Sequence, residues 1–329
     1  MPKIIRFHKI GGPENLVLED VPSRQLEEGE VRLRVEAVGL NRAESLFFRG
    51  LYGEQPVLPS RVGYEAAGTV VSVDPGVDMA WMGKKVGTTG GSSQSQNGVL
   101  GEEAIVPVSS LAEYPANLSS IEGAAIWMQY LTAYGALIMH GRIAPGDFVV
   151  ITAASSSVGI AAIQLTKDEG ATAIATTRTS KKRDQLRALG ADHVIATEEE
   201  DLPKRVAEIT GGKGARIIFD PVAGPYIETL AAAAAFGGTI FEYGGLSMQP
   251  TPFPFMAALG KGLSVRGYTM REIRRDPRVL KTATQYIYDR LHDGRLKPKI
   301  AKTFPLAESA DAYKYLESNE QIGKVVITI

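Results

Sequence analysis

The spacing of apolar and polar residues changes well before the middle of the chain. Before about residue 125, short segments alternate between apolar and polar residues, as residues 31–35 (VRLRV) do, and turns rich in glycine and proline separate them. Such alternation is typical of strands with one buried face, and short, regularly spaced strands are typical of a small barrel or sandwich. A mainly β domain is therefore predicted, in which the polar run at 88–97 forms a surface loop or a mobile flap.

From Ser119 onward, apolar runs that predict buried strands alternate with amphipathic runs that predict helices. Ser119 and Glu122 have the spacing of a capping box, so a helix is expected to start there and to extend to about Met139, with a break near Tyr130. The alternation predicts a parallel sheet wound on both faces by helices. Its strands are 148–152, 171–176, 193–196, 217–220, 239–243 and 263–268, and its helices are 157–169, 180–189, 202–210, 226–236 and 253–260.

The last sixty or so residues return to a simpler pattern. A charged helix at about 276–292, an extended run at 299–304, a helix at 306–316 and a strand at 324–329 are predicted. One such helix and one terminal strand are too little for a third domain, so we expect them to complete the first. The predicted domains are a mainly β catalytic domain (1–125 and 269–329) and a nucleotide-binding domain (126–268).

A turn of small residues after the first strand of the alternating region is the main candidate for a functional site. Residues 153–159 (AASSSVG) stand between a strand and a helix, and the free N–H groups of a helix N-terminus attract phosphate. The dinucleotide fingerprint G-x-G-x-x-G retains only its last glycine, Gly159, with Ala154 and Ser156 at the first two positions. Serine caps of an ordinary helix are the alternative. The location in the first βα turn of the predicted sheet favours a dinucleotide site.

The end of the second predicted strand indicates which dinucleotide binds. NAD sites carry an acidic residue there, but this chain has Thr177 followed by Arg178, Ser180, Lys181 and Lys182. Cations and hydroxyls bind a 2′-phosphate, whereas a carboxylate repels it. A solvated helix start would also explain a basic run, but lysines at a helix N-terminus oppose its dipole. NADP(H) is therefore predicted over NAD(H).

Composition and charge exclude several other classes of function. The net charge of -1 over 329 residues gives no electrostatic basis for binding nucleic acid or an anionic membrane. No apolar run reaches the roughly 18 residues of a membrane span, and no signal-peptide pattern is visible, so a cytoplasmic location is expected. The chain has no cysteine, and its four histidines lack metal-ligand spacing, so no metal site is predicted.

Several short segments, spread over essentially the whole chain, identify a family resemblance. They are 11–14 (GGPE), 39–44 (GLNRAE), 49–52 (RGLY), 63–68 (GYEAAG), 131–134 (LTAY), 153–159 (AASSSVG) and 323–326 (GKVV). With them the chain resembles the zinc-independent branch of the medium-chain dehydrogenase/reductase superfamily, and within it the NADPH:quinone oxidoreductase, or zeta-crystallin-like, group. The resemblance implies an α/β fold: a doubly wound six-stranded parallel Rossmann sheet plus a discontinuous, mainly β, GroES-like barrel domain.

The departures from the family pattern concern the metal and the substrate. The zinc-dependent members hold their catalytic metal with Cys, His and Cys, and the corresponding positions here are Asn41, Tyr64 and Gln129. None of the three is a good zinc ligand, so a zinc mechanism is not expected. A tyrosine often found in quinone reductases is Leu46 here, which weakens the assignment to quinones specifically.

The resemblance implies which residues carry the chemistry. Asn41 is expected beside the nicotinamide and the substrate, Tyr52 and Tyr64 are candidate hydrogen-bond donors or proton sources, and Gln129 is expected in the same pocket. Glu44 and Glu65 are expected to be structural carboxylates. The predicted cofactor-binding residues are Asn41, Thr132, Ser155, Ser156, Ser157, Val158, Thr177, Arg178, Ser180, Lys181, Tyr243, Gly244 and Lys324.

The leading hypothesis is an NADPH-dependent oxidoreductase that transfers hydride to a quinone without zinc. NADPH-dependent reduction of an enone, a 2-alkenal or an enoyl thioester is the alternative within the same chemistry, because each acceptor lets an oxygen take the charge that the hydride delivers. A non-catalytic NADPH-binding protein is the alternative from another class. A homodimer is also expected, because the predicted strand 263–268 leaves an apolar edge on the sheet.

Overall fold

The computed structural model describes the whole chain, from Met1 to Ile329. The chain folds into two units: unit 1 comprises Met1–Met128 and Lys297–Ile329, and unit 2 comprises Gln129–Leu296. None of the helices combines the length and the apolar character needed to cross a membrane.

The first segment of unit 1 is mainly β, and its strands keep the alternation seen in the sequence. Val31, Leu33 and Val35 are buried, whereas Arg32 and Arg34 between them are not. The helix Ser120–Gly123 begins with the expected capping box, in which Ser119 and Glu122 each accept a hydrogen bond from the backbone N–H of the other. The strands are β1 (Lys3–Phe7), β2 (Leu16–Asp20), β3 (Glu30–Gly39), β4 (Ser60–Arg61), β5 (Glu65–Val73), β6 (Lys85–Thr88), β7 (Glu103–Pro107) and β8 (Leu111–Glu113), and the helices are α1 (Arg42–Phe48), α2 (Gln94–Asn97) and α3 (Ser120–Gly123).

Unit 2 contains the predicted doubly wound sheet. Its six strands lie in the order β11-β10-β9-β12-β13-β14, and every pair is parallel. The predicted fold class is thereby confirmed. The strands are β9 (Phe148–Ile151), β10 (Thr172–Thr177), β11 (His193–Ala196), β12 (Ala215–Asp220), β13 (Ala234–Glu242) and β14 (Ser264–Gly267), and the helices from the unit boundary onward are α4 (Trp127–Tyr134), α5 (Ser157–Asp168), α6 (Arg183–Ala188), α7 (Leu202–Thr210), α8 (Ile227–Ala233), α9 (Phe255–Lys261), α10 (Arg271–Arg274) and α11 (Pro277–His292).

The C-terminal segment returns to unit 1 and adds two strands to its larger sheet. The segment forms β15 (Ile300–Pro305), α12 (Ser309–Ser318) and β16 (Lys324–Thr328). Strand β16 pairs with β15 in parallel and with β3 in antiparallel orientation, so the last residues of the chain lie beside β3. The larger sheet has the order β15-β16-β3-β5-β6-β8, with β7 also paired to β3, and a smaller sheet has the order β2-β1-β4.

The two units differ in how many faces of their sheets are buried in the core. In unit 1, apolar residues from one face of each strand form the core together with Phe47, Phe48 and Tyr313. In unit 2, the central strands β9 and β12 are buried along most of their length, as expected of parallel strands covered by helices on both faces.

Two local predictions differ from the structure. The polar run at 88–97 ends in helix α2, whose Gln94 and Asn97 are buried, so it is more ordered than a surface loop. The helix expected from Ser119 to about Met139 is divided into α3, α4 and a π-helical segment, Gly135–His140. The break falls at residues 124–126, earlier than the sequence suggested.

Candidate active site

Asn41, the first of the predicted catalytic residues, caps the N-terminus of α1 directly after β3. Its backbone N–H donates to Glu44 Oε2 at 2.9 Å. Its side-chain Nδ2 donates to the carbonyl oxygen of Gly39 at 3.0 Å and to Glu44 Oε1 at 3.2 Å. Its Oδ1 accepts a hydrogen bond from Lys324 Nζ at 2.7 Å. The carboxamide is therefore held on both sides.

Sheet pairing brings Lys324 to Asn41 although 283 residues separate them. Strands β3 and β16 are antiparallel, and their register pairs Gly39 with Val326. Two more residues in each direction place Asn41 opposite Lys324, and the N–H of Leu40 donates to the carbonyl oxygen of Val325 between them at 2.9 Å.

Lys324 also forms a buried ion pair. Its side chain is 1% exposed, and Nζ lies 2.5 Å from Oε2 of Glu65, which is fully buried. The other carboxylate oxygen, Oε1, accepts the backbone N–H groups of Ile126 and Met128, both at 3.0 Å. Lys324 thus neutralises Glu65 and orients Asn41, while its predicted contact with the cofactor remains a prediction.

Glu44 connects Asn41 to the second predicted catalytic residue, Tyr64. The Glu44 carboxylate is fully buried and accepts hydrogen bonds from Asn41, from the backbone N–H of Tyr64 at 3.0 Å and from the Tyr313 hydroxyl at 2.8 Å. Burial raises the pKa of Glu44, and these donors act in the opposite direction because they stabilise the charged form. One buried carboxylate therefore fixes the positions of two candidate residues.

Tyr64 and Tyr52 lie edge to face, with ring centroids 6.2 Å apart. Tyr64 is 6% exposed, and its carbonyl oxygen accepts from Thr88 Oγ1 at 2.9 Å. Burial, with Tyr52 and Glu54 nearby, raises the pKa of the Tyr64 phenol far above its usual value. The phenol therefore keeps its proton near neutral pH and can donate a hydrogen bond.

In unit 2, the small-residue turn has the geometry of an anion site. Ser156 caps helix α5, and its Oγ accepts the N–H of Gly159 at 3.0 Å. A Cβ added at Gly159 would lie 2.6 Å from the Cα of Ala154 and 2.7 Å from its carbonyl oxygen, so no larger residue fits there. This packing explains why Gly159 is the fingerprint glycine that remains. Ala153, at the start of the turn, adopts a left-handed φ of 46°.

The basic run after β10 reaches the turn through Lys182. Its Nζ donates to Ser155 Oγ at 3.1 Å. The predicted ligands Arg178 and Lys181 are exposed, and the N–H and hydroxyl of Ser180 donate to Glu199 Oε1 at 2.9 and 3.2 Å. Lys182 is not among the cofactor-binding residues predicted from the sequence, because the sequence of two adjacent lysines does not show which of them faces the turn.

The carboxyl ends of β9, β12 and β13 bring further predicted residues to the same edge of the sheet. The ring of Tyr243 stacks on Phe219, with centroids 4.0 Å apart. A Cβ at Gly244 would lie 2.8 Å from the carbonyl oxygen of Pro221, so the chain passes close to that backbone. Tyr243 and Gly244 thus lie at the carboxyl edge of the sheet, where ligands of such sheets bind. The first presents a flat ring there and the second has no side chain.

Two carboxyl groups that no local sequence pattern connects, those of Asp220 and Glu242, meet at this edge. Asp220 and Glu242 end neighbouring strands in register. The Asp220 carboxylate accepts from the Thr152 hydroxyl and from the N–H of Ala223. Burial and the charge of Asp220 raise the pKa of Glu242 to about 8. Glu242 is therefore protonated in the folded chain at neutral pH.

The remaining predicted residues lie in helices α4 and α5 or at the end of β10. Gln129 is buried and Thr132 is half-buried in α4, Ser157 and Val158 form the first turn of α5, and Thr177 ends β10. The structure thus groups the predicted residues into an Asn41–Lys324–Tyr64 cluster in unit 1 and a turn with its flanking strand ends in unit 2. No group of three or more His, Cys, Asp or Glu side chains is arranged to hold a metal ion.

A parallel sheet of six strands whose first turn is a narrow, serine-capped helix N-terminus defines a dinucleotide-binding unit. Comparison with known proteins agrees with this class. The family described as "Alcohol dehydrogenase GroES-like domain" matches residues 27–117, and the family described as "Zinc-binding dehydrogenase" matches residues 157–285.

Individual relatives match over the full chain. A 2-haloacrylate reductase from Burkholderia sp is 30% identical over 98% of this chain and 97% of the relative. Quinone oxidoreductase 1 from Escherichia coli is 30% identical over 98% of both chains. The crystal structure of Escherichia coli quinone oxidoreductase complexed with NADPH superposes with a TM-score of 0.92 at 29% identity, covering 99% of this chain and 100% of the other.

The chain belongs to the zinc-independent, quinone oxidoreductase-like family of medium-chain dehydrogenases/reductases. It is therefore an oxidoreductase, as the sequence predicted.

Proposed function

We propose that this chain transfers hydride from NADPH to a quinone without a metal ion. The observation that carries the proposal is the turn at 153–159, where a helix N-terminus, the Ser155 hydroxyl and the Lys182 ammonium converge. NADPH is the cofactor named in the Escherichia coli relative's structure, and that relative is named a quinone oxidoreductase.

The residues of the turn fit the phosphate groups of this cofactor. The narrow approach that Gly159 allows admits a pyrophosphate against backbone N–H groups, which the dipole of α5 makes electropositive. Lys182 supplies a cation at the turn, and Arg178 and Lys181 are exposed at the end of β10, where a 2′-phosphate is expected. Glu199 lies beside Ser180, so we assign the 2′-phosphate to the cations and not to that serine.

Bound NADPH supplies the hydride, and the chain's own residues position the acceptor and manage its charge. The un-ionised phenol of Tyr64 can donate to an oxygen that becomes negative, and Tyr52 packs against its ring. Gln129 and Asn41 remain candidate polar residues in this proposal.

A panel of acceptors tests the reaction. NADPH oxidation is followed with a quinone, a 2-alkenal and an acrylate under identical conditions. We expect the highest kcat/KM with the quinone. Activity with the alkenal or the acrylate alone would contradict the quinone proposal, and failure to oxidise NADPH with every electron-poor acceptor would contradict hydride transfer itself.

Reduction of an activated carbon–carbon double bond is the second candidate. Two observations favour it: the Burkholderia relative is named a 2-haloacrylate reductase, and Leu46 stands where quinone reductases often have a tyrosine. The same acceptor panel separates the two candidates. Reduction of the quinone supports the first, and reduction of the alkenal or the acrylate, in which an alkene is conjugated to an aldehyde or a carboxylate, supports the second.

The preference for NADPH over NADH has its own test. We expect that replacing Arg178 and Lys181 by Ala, or Lys182 by Ala, raises the dissociation constant of NADPH about tenfold or more, since each charge-assisted hydrogen bond contributes about 1.5–3 kcal/mol. NADH, which lacks the 2′-phosphate, should be little affected by the Arg178/Lys181 pair. Equal losses for both cofactors would contradict a 2′-phosphate site there.

We also propose that the chain forms a homodimer through β14. This strand pairs only with β13, and exposed apolar side chains of the adjoining segment, Phe253, Phe255, Met256 and Leu259, lie on the same part of unit 2. Light scattering should give twice the 35.3 kDa mass of one chain, and Met256→Glu with Leu259→Glu should give the monomer. A monomeric wild-type protein at micromolar concentration would contradict the dimer. The cytoplasmic location remains a prediction.

A further inference from the structure

A carboxylate already occupies the hydrogen-bond donors of Ser180, a residue that the sequence predicted as a cofactor ligand. Oε1 of Glu199 accepts the backbone N–H of Ser180 at 2.9 Å and its hydroxyl at 3.2 Å. One negatively charged oxygen therefore takes both hydrogen bonds that Ser180 could donate to a phosphate. Carboxylate and phosphate oxygens are both acceptors, so they compete for the same N–H and O–H groups.

Backbone pairing within unit 2 brings Glu199 to this position. The parallel pairing of β10 and β11 continues beyond the ends of the two strands. The N–H of Thr197 donates to the carbonyl oxygen of Thr177 at 2.8 Å. The N–H of Glu198 then donates to the carbonyl oxygen of Arg178 at 2.9 Å. The chain after β11 thus runs beside the chain after β10, where a 2′-phosphate is expected.

Glu199 differs in its partners from Glu200, the next carboxylate along the chain. The Glu200 carboxylate forms ion pairs with Arg183 and Arg205, so cations neutralise it. The hydrogen bonds of Glu199 come from the uncharged groups of Ser180, and Glu199 is exposed. Its negative charge therefore acts directly on any anion that approaches Ser180.

We infer that Glu199 is a specificity-determining residue that lowers the affinity of this chain for the 2′-phosphate of NADPH. The exposed Arg178 and Lys181 attract that phosphate, whereas Glu199 repels it and occupies the Ser180 donors. NADH has a hydroxyl in place of the phosphate, and a hydroxyl can donate to a carboxylate, so Glu199 does not disfavour NADH. The preference for NADPH over NADH thus depends on the balance between these two cations and Glu199. The inference rests on the proposed function, which supplies NADPH and the position of its 2′-phosphate.

The first experiment is Glu199→Gln, because the carboxamide oxygen of glutamine still accepts both hydrogen bonds from Ser180 while the charge is lost. The dissociation constants of NADPH and NADH are measured by fluorescence titration without an electron acceptor. We expect the NADPH constant to fall about threefold to tenfold, the effect of removing one charge a few ångströms from an exposed phosphate, and the NADH constant not to fall. The gain for NADPH should shrink at high salt, which screens exposed charges.

Glu198→Gln is the matched control, because Glu198 is adjacent, exposed and of the same charge, but its carboxylate accepts neither hydrogen bond of Ser180. It should change the affinity for NADPH less than Glu199→Gln does. Equal gains in the two variants would reduce the effect to net charge, and unchanged or weaker NADPH binding in Glu199→Gln would leave Glu199 a purely structural role. Either result overturns the inference.

Failure of the proposed function gives a different result. Wild-type protein that binds no NADPH would contradict the proposed function itself. Wild-type protein that binds NADPH, with a Glu199→Gln variant of unchanged affinity, would contradict only this inference.

The second experiment isolates the 2′-phosphate with two nucleotide probes. Adenosine 2′,5′-bisphosphate and adenosine 5′-monophosphate differ only in that group, and neither can transfer hydride. In calorimetric titrations, Glu199→Gln should bind the bisphosphate more tightly than the wild type does and should bind the monophosphate no more tightly. An equal gain for both probes would locate the effect of Glu199 elsewhere on the nucleotide and would overturn the inference.

A double-mutant cycle tests the competition for Ser180. Glu199→Ala frees the Ser180 hydroxyl, which can then donate to the phosphate. We expect Ser180→Ala to weaken NADPH binding several-fold in the Glu199→Ala background and less in the wild type, where Glu199 already accepts that hydroxyl. Thermal unfolding of each variant checks that the fold is retained. Equal effects of Ser180→Ala in both backgrounds would show that Glu199 and the phosphate do not compete for this serine and would overturn the inference.

Discussion

The candidate residues of unit 1 and unit 2 are supported in opposite ways. Around Asn41 the side chains are charged, buried and mutually satisfied: Lys324 neutralises Glu65, and Glu44 accepts donors at both of its oxygens. In the turn of unit 2 the backbone and small side chains form the site, and its cations stand at the surface. The first arrangement gives fixed orientation, and the second gives free N–H groups and space for an anion.

This difference determines what each region tolerates. Loss of one partner of a buried ion pair is strongly destabilising, because the other charge then remains unpaired in a low-dielectric interior. A turn built on close backbone approach is sensitive to volume, because an added carbon atom has no space. A change of charge therefore tests the region around Asn41, and a change of side-chain volume tests the turn of unit 2.

The largest effect is expected from Lys324→Met. The change leaves the Glu65 carboxylate buried without its counter-ion, and we expect the free energy of unfolding to fall by about 3–5 kcal/mol, as for other broken buried pairs. Urea denaturation of the variant and the wild type measures the difference. Adding Glu65→Gln should restore most of the stability, and a double variant as unstable as the single one would show that Lys324 stabilises unit 1 mainly by packing.

Gly159→Ala should have the next largest effect. The new Cβ would overlap the backbone of Ala154, so we expect a loss of about 1–3 kcal/mol in stability and a clear loss of NADPH affinity as the turn shifts. Gly260→Ala is the control, because Gly260 lies in α9 with open space around its Cα. It should leave NADPH binding unchanged. Wild-type affinity in Gly159→Ala would mean that the phosphate does not depend on the geometry of this turn.

The same contrast explains how far the sequence predicts the structure. The sheet of unit 2 follows from local patterns, because apolar segments such as β9 (FVVI) alternate along the chain with segments that have the helical period. In unit 1, strands β2 and β8 and helix α1 were not predicted. Strand β8 has three residues and α1 has seven, which is too short for either period to be recognised.

The candidate residues also differ in whether a local sequence pattern predicts their contacts. Ser156 and Gly159 are close in sequence, so residue size alone indicates their role in the turn. The contact between Asn41 and Lys324 depends on the register of β16 against β3, and the carboxyl pair Asp220–Glu242 on the register of β12 against β13. Register is a property of the folded sheet, so neither contact has a signal in the sequence nearby.

The pH dependence of stability gives a smaller effect, located in unit 2. The pKa of Glu242 is about 8 in the folded chain and near 4.5 when unfolded. Between these values the folded state holds a proton that the unfolded state has lost, so this group's contribution to stability falls as the pH rises from about 4.5 to 8. Because the side chain is only partly buried, we expect Glu242→Gln to raise Tm by about 1–2 °C above pH 8 and to leave it unchanged near pH 5.

The exposed Glu228, in helix α8 of the same unit, provides the control for that measurement. Glu228→Gln should shift Tm by the same small amount at both pH values. A Glu242→Gln variant whose Tm follows the wild-type pH profile would mean that Glu242 is already ionised at neutral pH.

The smallest change concerns the left-handed φ of 46° at Ala153. The left-handed region costs an L-residue about 1–2 kcal/mol and costs glycine almost nothing. Because glycine loses more conformational freedom on folding, we expect Ala153→Gly to raise the free energy of unfolding by only about 0.5–1 kcal/mol. Urea denaturation measures the gain, with Ala161→Gly in helix α5 as a control that should lose about 1 kcal/mol. If both variants lose stability equally, the turn holds Ala153 without strain. If Ala153→Gly is more stable and also binds NADPH less tightly, the strained alanine keeps the turn rigid for its ligand. Unit 2 would then share with unit 1 the principle of fixing a site before the ligand arrives.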